Sequence, residues 1–245
     1  MCLLILIQGL DPEYPLLVAS NRDEERSRKA SPPGLFVGAR QRMLSPRDRR
    51  SGGTWLALNR RGMFAGITNI AGAERRPLAT TRGALPHLVL DQDDLDAAAS
   101  AVREAVAAAD YNAFQLLISD GGHTRILTHQ DGRLEEQDTD DAVVVVSNEH
   151  QIGQLVLPGV DRALADGLSA AERLDQLHPL LLDEGDVSGH RILKKHDGDH
   201  GTVSSSLIAV PREDITRLIW RYAPGPPDEV DYRSYGNLAK RLVTA

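Results

Sequence analysis

The chain of 245 residues has a single cysteine, few aromatic side chains (4%) and no long apolar run. Each scarcity excludes something. One cysteine forms neither an intramolecular disulfide nor an all-thiolate metal site, and it suits a reducing compartment, so a cytoplasmic location is expected. No stretch approaches the roughly 18 apolar residues of a membrane-spanning helix, so no integral membrane segment is expected. Positive charge is also short: 28 Lys plus Arg stand against 35 Asp plus Glu, and the net charge of -7 argues against a nucleic-acid partner. What is present is ordinary. With 41% hydrophobic and 26% charged residues the chain is globular, and it is long enough to bury a sizeable core.

Residues 2–7 are apolar but lack a basic flank and a small-residue cleavage pattern, so they read as a buried strand rather than a secretion signal. With residues 16–21 they predict a hairpin about a Pro-containing turn, and residues 54–59 and 63–70 predict a second. Between these, residues 24–50 are rich in Arg, Ser, Pro and Gly and read as a long, partly ordered excursion, extended near 35–39. Residues 91–110, Ala-rich with an acidic start, predict a helix. Residues 114–119, 124–129 and 143–146 predict three strands. A second helical region is expected over 161–182, ended or broken near Pro179, and a last strand pair over 202–210 and 215–222. Residues 223–245 read as a C-terminal tail. Segregated strands and helices point to one α+β domain over 1–245 with antiparallel sheets.

Cys2 is the first candidate for chemistry. If Met1 is removed, Cys2 carries a thiol and a free α-amine, with ordinary pKa values of about 8.5 and 7.7–8.0, so one residue supplies nucleophile and base. By position alone it is equally a small apolar residue opening a strand. Asn21-Arg22-Asp23-Glu24 ends the second strand, and an antiparallel return brings it beside Cys2. There Asp23 can orient the amine and Arg22 can favour the thiolate; a solvated charge run is the alternative. Asn69 and Asn148 each follow an apolar strand and can aim an amide donor at a developing oxyanion. His196 and His200 are four apart, but the intervening Asp-Gly-Asp suits a turn rather than a metal-binding helix face; the segment reads either as an ordinary solvated turn or as a loop lining a substrate mouth, since it leads into Gly201 to Ser205. Arg47, Arg49 and Arg50 can meet an anionic substrate. Trp55, Phe64 and Trp220 occupy strand positions typical of core.

Cys2, Asn21-Arg22-Asp23-Glu24, Gly52-Gly53-Thr54-Trp55-Leu56, Thr68-Asn69, Ser147-Asn148 and Gly201-Thr202-Val203-Ser204-Ser205, in this order, resemble the NRDE family, also called the transport-and-Golgi-organisation type. The resemblance spans residues 1–210. That family looks like a branch of the N-terminal-nucleophile hydrolases near penicillin V acylase and bile-salt hydrolase. The likeness implies a four-layer αββα sandwich, Cys2 as nucleophile, Asp23 orienting its amine, Arg22 beside the thiol, and Asn69 and Asn148 around the oxyanion. Asn21, Trp55, His200 and Ser204 are the expected substrate contacts, and neither metal nor organic cofactor is required. Val203 departs from the pattern, since many relatives have an arginine there. The implied function is hydrolysis of a linear amide of a small or acyl-type substrate. A non-catalytic carrier of haem or an acyl lipid on the same scaffold is the competing expectation.

Overall fold

Every side chain of β1 (Leu3–Gln8) is buried, and the cause is layering. Leu4 and Leu6 enter a core between two sheets, whereas Leu3, Ile5 and Ile7 enter a second core beneath a helix. A strand covered on both faces needs an unbroken apolar run rather than an alternating one. The computed structural model describes residues 2–150, 153–183, 186–187, 190–191 and 198–244. After β1 come β2 (Leu16–Glu25), β3 (Ala30–Val37), β4 (Arg42–Asp48), β5 (Leu56–Asn59), β6 (Phe64–Asn69), α1 (Leu85–Leu90) and α2 (Leu95–Ala108). Then follow β7 (Phe114–Ser119), β8 (Thr124–Gln130), β9 (Arg133–Thr139), β10 (Val143–Ser147) and α3 (Ala170–Leu181). The chain ends with β11 (Asp186–Val187), β12 (His190–Arg191), β13 (His200–Val210), β14 (Ile219–Ala223), β15 (Arg233–Ser234) and α4 (Lys240–Val243).

One sheet has six strands in the order β10-β1-β2-β13-β14-β15, the other seven in the order β3-β4-β5-β6-β7-β8-β9. Leu44, Leu58, Phe64 and Leu117 of the second meet Leu4, Leu6, Val18 and Ile208 of the first. Outside the first sheet α3 packs through Leu174, Leu177 and Leu181. Outside the second, α1 and α2 pack through Leu85, Val89, Ala98 and Val102 against Met43, Ala65 and Leu116. The result is the α+β, four-layer αββα sandwich. Each aliphatic side chain so buried is worth about 1.5–3 kcal/mol.

The excursion expected over residues 24–50 is instead regular: β2 runs on to Glu25, and β3 and β4 form a hairpin. Pro32 and Pro33 fall on the outermost strand, where the register shifts between Ser31 and Gly34, so their missing N–H groups break no central ladder. β9 was not foreseen because it is a mostly exposed, charged edge strand. α2 starts four residues later than expected, where the Asp94 carboxylate accepts the Ala97 N–H at 2.8 Å. The helix expected over 161–182 is α-helical only from Ala170, after a Ser169–Glu172 capping box, and contains Pro179. Nor are residues 223–245 a detached tail: β15 pairs with β14, and Ala239 and Leu242 are buried in the inter-sheet core. Among the described residues no helix is long and apolar enough to cross a membrane.

Candidate active site

Strand register builds the site. Leu3 pairs with Asn21 and Leu4 with Ser20, so one step further along the hairpin Cys2 stands beside Arg22, on the side that Leu4 shares with the inter-sheet core. The Cys2 thiol donates to the Asp23 carbonyl at 3.5 Å, and the residue keeps part of its surface open to solvent. The Cys2 carbonyl accepts the Asn148 N–H at 3.2 Å, and the Asn148 carbonyl accepts the Ala71 N–H at 2.6 Å. The segments that follow β10 and β6 are thereby stitched to the residue that precedes β1. Gln115 on β7 holds the Asn148 turn by donating Nε2 to the Ser147 carbonyl at 2.8 Å.

Parity also sorts β6. Phe64 lies in the inter-sheet core and Gly66 against Leu4, so Thr68 continues the inner face, while Asn69 ends the strand exposed to solvent. Thr68 pairs with Gln115. Arg22 Nη1, Thr68 Oγ1, Gln115 Oε1 and Asn148 Oδ1 are all buried with no hydrogen-bond partner among the described residues. Unpaired buried polar atoms cost about 1–3 kcal/mol each, and these four lie on β2, β6, β7 and the turn that follows β10.

Arg22 is 5% exposed. It lies 4.5 Å from the Trp55 ring centroid, donates Nη2 to Asp48 at 2.9 Å and is 3.6 Å from Glu24. Asp48, on the other sheet, also accepts from Arg28 at 2.7 Å and from the amides of Arg50 and Ser51 at 2.8 and 2.9 Å. Burial opposes its charge, yet these amides and Arg28 outweigh burial and hold the carboxyl below the ordinary range. Burial pushes the Cys2 thiol up, against which the charges of Arg22 and Arg82 pull it down. The Asp23 carboxylate is held by the Thr202 hydroxyl at 2.7 Å, from β13.

The expected substrate contacts separate. Asn21 takes the opposite face of β2 and donates Nδ2 to the Leu181 carbonyl at 2.9 Å, so it anchors α3 instead of facing Cys2. Trp55, half-buried against the inter-sheet core, carries the Arg22 guanidinium. Ser204 is buried opposite Arg22 across the strand pair, and His200 is exposed opposite Glu25. His196 lies outside the described residues. Arg47 and Arg49 are tied to Gly52 and Ser31, and Arg50 to Glu25.

The model of the Transport and Golgi organisation 2 family matches residues 1–161. The chain belongs to that family. Mouse Transport and Golgi organization 2 homolog is 32% identical over 110 residues, 44% of this chain and 39% of its own length. Its Bos taurus counterpart is 33% identical over the same shares. The chain thus aligns with about two fifths of these relatives. Among solved structures it resembles variants of conjugated bile acid hydrolase from Clostridium perfringens, one with a TM-score of 0.60 at 13% identity, covering 95% of this chain and 92% of that one. The Caenorhabditis elegans N-acylethanolamine-hydrolyzing acid amidase ortholog gives a TM-score of 0.53 at 9% identity, covering 85% and 92%. At such identities the likeness is one of fold.

Within the Transport and Golgi organisation 2 match lie Cys2, Arg22, Asp23, Asn69, Asn148 and Thr68 of the Thr68-Asn69 motif, and also two residues that sequence reasoning passed over: Asp48 and Gln115. Asp48 had a signal of a kind, an Asp two and three residues ahead of the amides it caps before Gly52-Gly53. Gln115 had none beyond strand parity. β13, which supplies Thr202, lies beyond the matched residues.

Proposed function

We propose that the protein is an N-terminal-cysteine amidohydrolase that cleaves a linear amide of a small or acyl-type substrate once Met1 has been removed. The observation that carries this reading is the set of unpaired buried polar groups on the elements neighbouring a partly open Cys2. In the reading, the freed α-amine takes the thiol proton and the thiolate attacks the carbonyl carbon, forming the S–C bond. The amides of Asn148 and, at the mouth, Asn69 donate to the oxyanion. The amine then returns the proton to the leaving nitrogen as the C–N bond breaks. Water, giving its proton to the same amine, splits the thioester into a carboxylic acid and the free thiol. Arg22 favours the thiolate and Asp23, held by Thr202, orients the amine. The sequence requires neither metal nor cofactor. The names of the structurally similar proteins, a bile acid hydrolase and an acid amidase, support amide hydrolysis.

The family name speaks of transport instead, which keeps a carrier of haem or an acyl lipid as the competing reading. A panel of amides and thioesters assayed on wild type and Cys2→Ser, with intact mass of both, separates the two. The hydrolase reading expects loss of Met1, an acyl adduct on Cys2, and turnover lowered about 10³-fold or more by the substitution. Retained Met1 with no adduct, together with a Soret band on haem titration, transfers the assignment to the carrier.

A further inference from the structure

Arg82 sits in a short turn (Arg82–Ala84) ahead of α1. Two tethers place it. The turn is pressed against the Gly52-Gly53 segment: the Thr54 N–H donates to the Gly83 carbonyl at 2.8 Å, and a Cβ on Gly53 would stand 2.4 Å from the Gly83 carbonyl carbon. Only glycine fits there, because backbone lies on both sides. The guanidinium donates Nη1 to the Ala113 carbonyl at 2.6 Å, and Ala113 precedes Phe114, the partner of Asn69. The cation is therefore fixed at the Asn69 end of the seven-stranded sheet.

Its neighbours have counter-ions and it does not. Arg22 and Arg28 share Asp48 and Glu24, whereas no described carboxylate lies within ion-pair distance of Arg82. Burial and the charge of Arg75 weaken its hold on its proton. Arg22, well buried and over the ring of Trp55, the residue after the tethered Thr54, keeps Nη1 unpaired. A well-buried guanidinium and a partly exposed one, both with donors to spare, make a seat for an anion, because charge-assisted hydrogen bonds to carboxylates are the strong ones.

We propose that Arg82 and the unpaired edge of Arg22 form an anion seat beside Cys2, and that the substrate is an amide bearing a carboxylate close to its scissile bond. The seat stands by itself; the word substrate rests on the amidohydrolase reading. Because Cys2 is the one cysteine in the chain, alkylation reads the seat directly. The thiolate displaces iodide from iodoacetate, an anion, or from iodoacetamide, its neutral analogue, and intact mass gives both rates. The ratio of the two rates cancels any change in thiol ionisation. The ratio for the protein should exceed that for N-acetylcysteine, fall about fivefold or more in Arg82→Gln, and be largely restored in Arg82→Lys. An equal slowing with both reagents, or a ratio like that of the free thiol, overturns the seat; a urea midpoint for each variant certifies folding. In the wild type, N-hexanoylglycine should slow iodoacetamide at lower concentration than N-hexanoylethanolamine, and equal protection overturns the carboxylate requirement. If the seat passes while neutral amides alone are hydrolysed, the carboxylate requirement fails; if the seat passes while no amide of either kind is hydrolysed, the amidohydrolase reading fails and the seat remains.

Discussion

Two nucleophile-bearing clusters stand on opposite faces of the seven-stranded sheet, and the one that looks more reactive is the one sealed shut. Ser45 on β4 meets His87 on α1 through an Oγ–Nε2 hydrogen bond of 2.9 Å, a closer nucleophile–base contact than any at Cys2. Yet Phe36 stacks on the imidazole at 3.8 Å, and the two residues are 6% and 9% exposed. Burial, with Arg47 adding to it, pushes the His87 pKa down to about 4, so at neutral pH the ring is a neutral hydrogen-bond partner. At Cys2 the reverse holds: the residue keeps part of its surface open to solvent, and polar atoms on the neighbouring elements are unspent. A nucleophile beside a base is a packing motif until unsatisfied groups converge on it.

Three changes test that contrast. Asp48→Asn should have the largest effect, about 3 kcal/mol of stability by urea unfolding, because it strips the buried Arg22 and the half-buried Arg28 of a shared counter-charge. A loss below about 1 kcal/mol would mean that Asp48 does not hold the two sheets together at the site. The next effect concerns pH. The folded pKa of His87, about 4, lies below its ordinary 6.5, so the unfolded chain takes up the proton first. Stability present above pH 6.5 is therefore lost as the pH falls toward 4. The loss should be about 2 kcal/mol, discounted for residual solvent, and it should vanish in His87→Gln. Equal pH profiles for the two proteins would show that His87 is not sealed. The smallest is Ser45→Ala, expected to cost about 1 kcal/mol and to leave amide turnover unchanged. Lost turnover at unaltered stability would reverse the comparison and move the chemistry to His87.

Much of the fold was readable because burial on both faces writes long apolar runs, as in β1 and residues 143–146. What escaped were β4, the short α1 and the edges. β3 and β9 lie at the two ends of the seven-stranded sheet, and solvent on one face frees their sequences from any apolar pattern. At the site, Cys2, Arg22 and Asp23 were legible since a hairpin with a short turn leaves its register little choice. Asn21 was misplaced by one step of parity, which decides between the inter-sheet layer and α3. Asp48 was hidden because its function depends on docking of the two sheets, which local sequence does not encode.

The bond between Thr202 and Asp23 joins residues 179 apart, on a strand that lies between β2 and β14 in the first sheet. Synthesis at about 5–20 residues per second puts about 10–40 s between making one partner and making the other. Throughout that interval β2 lacks its β13 neighbour and the Asp23–Thr202 bond is unformed. The surroundings of Cys2 are therefore completed on the β2 side only when the final strands arrive.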